Sequence, residues 1–120
     1  MERVVGIGGY FFRAADPEAL AAWYESALGI TSLSNGAWEQ EAGPTVFAPF
    51  AADTDYFGRA DQHCMLNFRV TDLDAMLAQL RAAGAVVDDQ VDEADFGRFG
   101  HAVDPEGNRF ELWEPAESDT

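Results

Sequence analysis

Hydrophobic and polar positions alternate most cleanly near the end of the chain, in FGHAVDPEGNRFELWEP (residues 99–115). Phe110 and Leu112 point to one side of a strand, and Arg109, Glu111 and Trp113 to the other. Between Phe99–Val103 and Arg109–Glu114, the run Asp104-Pro105-Glu106-Gly107-Asn108 supplies a tight turn. Proline sets φ early in such a turn, glycine accepts a positive φ, and Asp or Asn side chains bond the nearby backbone. With Val103 paired to Arg109, His101 falls opposite Glu111. An imidazole, a carboxylate and the Trp113 indole then share one face of a sheet whose reverse is apolar.

Two stretches change to the helical period. Asp16-Pro17 offers an N-cap followed by proline at the first helical position, and Leu20, Trp23, Tyr24 and Leu28 form one stripe before Gly29. Trp23 and Tyr24 are read as core aromatics. Asp72 caps a second helix over Leu73–Ala83, with Leu73, Met76, Leu77 and Leu80 on its apolar side and Gly84 at its end. Around these helices the pattern predicts strands at 3–14, Ile30–Leu33, Ala37–Gln40, Thr45–Ala48, His63–Val70 and Ala85–Val87, with Asn35-Gly36 as a hairpin turn. The GIGG inside the first strand lacks the lysine and helix start of a phosphate loop, so its glycines read as places of close approach. Phe50–Gln62, with Tyr56 and Phe57 near its middle, is the longest irregular segment; it either covers a site or joins two halves. Asp88–Asp95 reads as an acidic, solvated connection, Cys64 as core, and the last five residues as a frayed tail.

The order of elements repeats. Setting Asp16 on Asp72 places Phe12 on Phe68, Arg13 on Arg69, Ala19 on Ala75 and Ala22 on Ala78. The fold expected is α+β: one domain over residues 1–120, made of two tandem βαβββ modules at about 1–58 and 59–116. Their sheets would form a cleft-shaped, partly closed mixed sheet with helices outside. The residues facing that cleft by parity are Phe11, Arg13, Asn67, Arg69, His101, Glu111 and Trp113, with Trp38 as a further wall.

Charge narrows the partners. The chain carries 22 acidic residues against 7 basic ones, a net charge of −15. That balance repels phosphate backbones and anionic lipid, so neither nucleic acid nor membrane is an expected partner. All the basic residues are arginine, which excludes a Schiff-base lysine. The acidity serves solubility, or else an acidic face that meets a basic protein partner. A single cysteine, no secretory layout and no apolar run of about 18 residues make the cytoplasm the expected location.

Three stretches resemble the vicinal oxygen chelate superfamily, the glyoxalase/bleomycin-resistance/extradiol-dioxygenase proteins. They are AADPEALAAWYESALGI, MLNFRVTDLDAMLAQLRAAGAVV and, most specifically, GRFGHAVDPEGNRFELWEP. The resemblance implies a homodimer with sites formed by paired modules. It also implies a divalent metal (zinc, nickel, manganese or iron) held by the first and last strands of each module. Here those seats fall on Gly9, Met65, about Phe47 and Glu111, of which Glu111 alone is a family ligand.

The expectation is therefore a glyoxalase-like protein that binds a small organic molecule without a metal cofactor. Phe11, Arg13, Trp38, Asn67, Arg69 and Trp113 would line the site, with His101 and Glu111 as the acid–base candidates. The alternative is a metal-dependent glyoxalase- or dioxygenase-like enzyme in which His63 and His101 join Glu111. An acidic protein-interaction module is the third reading.

Overall fold

In the computed structural model, residues 1–117 are described. The first helix, α1 (Pro17–Leu28), starts where Asp16 accepts a hydrogen bond from the Ala19 amide at 3.1 Å and stops at Gly29, whose φ is 75°. A one-turn helix, α2 (Ser32–Asn35), follows. The second half then gives β1 (Asn67–Arg69), α3 (Leu73–Ala82), β2 (Val86–Val87), β3 (Asp92–Ala94), β4 (Gly97–Val103) and β5 (Arg109–Pro115). Asp72 caps α3 through the Ala75 amide at 3.0 Å, as Asp16 caps α1. The two helices thus begin with the same cap geometry.

The strands form one mixed sheet in the order β1-β5-β4-β2, with β3 also on β4. β1 runs parallel to β5, and the other pairs are antiparallel. β4 and β5 pair with Val103 on Arg109 and His101 on Glu111, the register the turn sequence predicts. Hydrogen bonds continue past the ends of β1, from Glu111 N–H to the Leu66 carbonyl and from Val70 N–H to the Trp113 carbonyl, both 2.8 Å.

The core lies between the sheet and α3. Phe110, Leu112 and Ala102 meet Leu73, Leu77 and Leu80, and Ala27 joins from α1. Gly100 permits the close approach: a Cβ there would stand 3.1 Å from a Leu77 methyl. Burying a side chain such as Phe110 contributes roughly 1.5–3 kcal/mol. Trp23 and Tyr24 pack edge-on and tilted against Phe110, which makes them core aromatics.

The turn between β4 and β5 is tied to α1. Asp104 is buried and accepts from the backbone amides of Glu106 and Asn108, the Asn108 side chain and the Tyr24 hydroxyl. Glu106 reaches back to the amides of Ala15 and Asp16 at 2.6 and 3.0 Å. These amides lead into α1, where the positive end of the helix dipole favours a carboxylate.

The expected partly closed double sheet is not what the chain adopts. The sheet is single and open, and all its strands belong to the second half. Residues 3–14, 37–40 and 45–48 form no ladder among the described residues, and Ile30–Leu33 runs into α2 instead of a strand. Alternation marks a segment able to be a strand, but a ladder also needs an edge to pair with, and that edge is not written in the segment. The glycines at 6, 8 and 9 weaken the first segment further. Conversely, the acidic connection 88–95 contains β3, because Asp92–Ala94 pairs with Gly97–Phe99 across a short turn. Residues 118–120 of the tail lie outside the described residues.

Candidate functional site

The sheet face away from α3 carries two cross-strand rows. The first is Asn67, Glu111 and His101, from β1, β5 and β4 in register. The second is Arg69, Trp113, Phe99 and Asp92. Strand parity and the turn-fixed register place these side chains together.

Glu111 is the centre of the first row. One carboxylate oxygen accepts from the Asn67 amide at 2.7 Å. The other accepts from His101 Nε2 at 2.9 Å and from the Tyr56 hydroxyl. Because a carboxylate only accepts, the His101 nitrogen facing it carries the proton. His101 and Glu111 are 2% and 8% exposed, so this pair is enclosed, whereas Asn67 at the sheet edge is open to solvent. Burial pushes the Glu111 carboxyl upward, but the hydrogen bonds from His101, Tyr56 and Asn67 outweigh it and hold it below the usual carboxylate range. Burial, and then the Glu111 contact, push the Tyr56 hydroxyl well above the usual phenol range, so it stays a donor.

Tyr56 comes from the long segment Phe50–Gln62, which lies over this face. Its ring meets His101 edge-on, with centroids 5.2 Å apart, and stacks on Phe50. Its carbonyl accepts from the Arg109 guanidinium at 3.2 Å. Of the two roles open to this segment, covering a site is the one its contacts match.

The second row is aromatic. Phe99 and Trp113 stack with an interplanar angle of 3° and centroids 6.0 Å apart, and Phe96 meets Phe99 edge-on. The Trp113 indole donates to the Phe96 carbonyl at 3.0 Å. Arg69 lies over Gly43 and donates to the Glu41 carbonyl at 3.1 Å.

Of the residues singled out from the sequence, the structure brings together Asn67, Arg69, His101, Glu111 and Trp113. It sets the others elsewhere. Phe11 is 94% exposed on the extended N-terminal segment. Trp38 packs on Phe68 at a small space of about 60 Å³. Arg13 and His63 line another cavity, with Tyr24, Arg109 and Phe110, beside the turn between β4 and β5. Cys64, read as core, is exposed, because the ladder is regular only from Asn67 onward. Phe99 and Tyr56 were missed. Phe99 could have been found, since it lies two residues before His101 and shares its face; Tyr56 had only its place in a long loop to mark it.

The donor set does not fit the metal centre of the chelate proteins. Both Glu111 oxygens are occupied by side-chain donors of this chain, His101 turns its Nε2 to Glu111, and His63 is elsewhere. Among the described residues no group of three or more His, Cys, Asp and Glu side chains is placed to hold a metal ion.

The model of the glyoxalase-like domain matches residues 9–113 of this chain. The chain belongs to the glyoxalase/bleomycin-resistance superfamily. Two solved structures share the fold at low identity, and a third matches over a shorter stretch. TnmS3, an antibiotic binding protein from Streptomyces sp. CB03234, is 24% identical over 97% of this chain and 100% of its own, with a TM-score of 0.64. A superfamily member from Sphaerobacter thermophilus is 17% identical over 83% of this chain and 89% of its own, with a TM-score of 0.51. A glyoxalase/bleomycin resistance protein from Streptomyces sp. CB03234 is 35% identical, but over only 40% of this chain and 41% of its own, with a TM-score of 0.36. The chain thus spans less than half the length of that relative. No curated protein matches the chain. Among the described residues no helix is long and apolar enough to cross a membrane.

Proposed function

We propose that this glyoxalase-like protein binds a small organic molecule on the open sheet face, without a metal, and works as a homodimer. The observation that carries the reading is the Glu111 carboxylate, held by three side-chain donors, beside the Phe99–Trp113 stack. A carboxylate so held is a poor metal ligand, while the oxygen that Asn67 alone engages keeps a site for a ligand N–H or O–H, and the aromatic pair offers a planar wall. Tyr56, on the covering segment, occupies the position from which such a ligand group would reach Glu111. The fold neighbour named as an antibiotic binding protein gives the class of molecule to screen first.

The dimer reading is supported by apolar side chains on the unpaired first half. Phe11 and Phe47 are 94% and 89% exposed, and Val4, Val5 and Val46 are also open. Patches of this kind mark interaction surfaces. A second copy would give those extended segments an edge to pair with and would wall the face over Asn67.

The test is a thermal-shift screen of natural-product antibiotics, followed by calorimetric titration of each hit. Binding should weaken at least tenfold in Asn67→Ala and Phe99→Ala, since a well-placed buried contact contributes about 1.4 kcal/mol or more. Hits that bind both variants as tightly as the parent protein would move the site off this face. In parallel, zinc, nickel, manganese and ferrous iron are loaded and counted by mass spectrometry. A stoichiometric metal lost in Glu111→Ala would overturn the metal-free reading.

A further inference from the structure

A cavity beside the turn between β4 and β5 adjoins the Glu111 face through Arg109, whose guanidinium meets the Tyr56 carbonyl, but has a different lining. It encloses about 180 Å³. Tyr10 and Phe12 of the N-terminal segment, 43% and 46% exposed, present its aromatic surface, and the buried Tyr24 and Phe110 are packed beneath them. The volume is of the same order as the roughly 150 Å³ apolar space known to accept one benzene ring.

The cations are unevenly placed. Of the 7 basic residues, three arginines (Arg13, Arg59 and Arg109) line this one cavity. Arg59 is engaged by Asp61 at 3.1 Å, which accounts for the one carboxylate on the rim. Arg109 is engaged by the Tyr56 carbonyl and by Asp88 at 3.6 Å. Arg13 has no hydrogen bond or ion pair from its guanidinium among the described residues, in a chain with 22 acidic side chains to choose from. An unpaired guanidinium beside an aromatic surface presents a planar fork of donors that matches a carboxylate.

A second polar group completes the rim. The Tyr10 hydroxyl lies 2.9 Å from the Cys64 sulfur. Burial, then Cys64, push that hydroxyl up to about 12, so it remains protonated at neutral pH and can donate to an anion.

We infer that this cavity is a binding site for a small aromatic carboxylate, its ring against Tyr10 and Phe12 and its carboxylate on Arg13. Apart from the Arg109–Tyr56 contact, the cavity and the rows around Glu111 share no residue, so each is titrated through its own amides.

The experiment is a nuclear magnetic resonance titration of the full-length, nitrogen-15-labelled protein with benzoate and with its neutral isostere benzamide. Benzoate should shift the amides of Tyr10, Cys64, Leu66 and Phe110 with an affinity in the millimolar range or better. Benzamide should bind roughly tenfold more weakly, as expected for loss of a charge-assisted hydrogen bond. Arg13→Gln, an exposed position that leaves the core intact, should bring benzoate down to the level of benzamide. Equal binding of the two probes, unchanged benzoate binding in Arg13→Gln, or no shifts at these amides would each overturn the inference. Shifts at Asn67, Glu111 and Trp113 report the other face, so failure of either site is seen separately.

Discussion

The Tyr24 hydroxyl donates to the Asp104 carboxylate at 2.7 Å, joining α1 to the last hairpin across 80 residues of chain. Asp104 is the hub of its turn, and Tyr24 is one of several donors that satisfy it. Tyr24→Phe removes one donor and keeps the ring packed, so it should cost about 1–2 kcal/mol. Asp104→Ala strips the turn of all of them and should cost about 3 kcal/mol or more. Urea unfolding followed by tryptophan fluorescence gives both values; equal costs would show that the turn does not depend on Asp104.

Glu111 ties stability to acid. Its folded-state carboxyl lies below the usual range, so the unfolded chain takes up that proton first as pH falls. The contribution is full above the ordinary carboxylate value and is lost as pH drops through the lower, folded value. Glu111→Gln should therefore lower Tm at neutral pH, and the gap to the parent protein should close in acid. A gap that stays constant with pH would show that the charge of Glu111 is not what stabilises the site.

Tyrosines act at the other end of the scale. Tyr24 and Tyr56 are each pushed above the usual phenol range, by burial first and by a carboxylate partner second. A group whose folded value is raised keeps the folded state stable below the unfolded value, and that stability fades as pH rises beyond it. Stability should therefore fall above about pH 10, the ordinary phenol value, and fall less steeply in the Tyr24→Phe, Tyr56→Phe double variant. Alkaline denaturation followed by circular dichroism decides this.

Gly100 is a packing constraint and not a turn residue. A methyl group there would press on Leu77 at 3.1 Å and on Leu73 at 3.4 Å. Gly100→Ala should destabilise by about 1–3 kcal/mol, the ordinary cost of overpacking a core. An unchanged Tm would show that α3 moves outward freely.

The homodimer reading makes its own prediction. Sedimentation velocity should find a dimer in the parent protein, and a charge at a strongly exposed apolar position, Phe11→Asp, should shift it toward monomer. A parent protein that is monomeric at all concentrations would remove the dimer from the account.

Much of the second half was legible because its signals are local. The Asp-Pro-Glu-Gly-Asn turn fixes the register of β4 and β5, and register alone puts His101 on Glu111. The helices α1 and α3 announce themselves by aspartate caps, and the caps form as read. The first half failed for the converse reason. Residues 3–14 and 45–48 have the right alternation, yet nothing in them names the strand they must join. Arg13 aligns with Arg69 in the sequence but does not join it on the sheet face, because only Arg69 has a ladder to set its parity. The Tyr56–Glu111 contact spans 55 residues and rests on a loop, where no periodicity operates.

Glu106 holds the amides of Ala15 and Asp16, 91 and 90 positions earlier in the chain. On the ribosome this means that α1 emerges long before the carboxylate that will hold its start. The nascent first half, rich in apolar side chains, stays undocked until the closing hairpin has been made. The opening residues are therefore the stretch a chaperone would meet first.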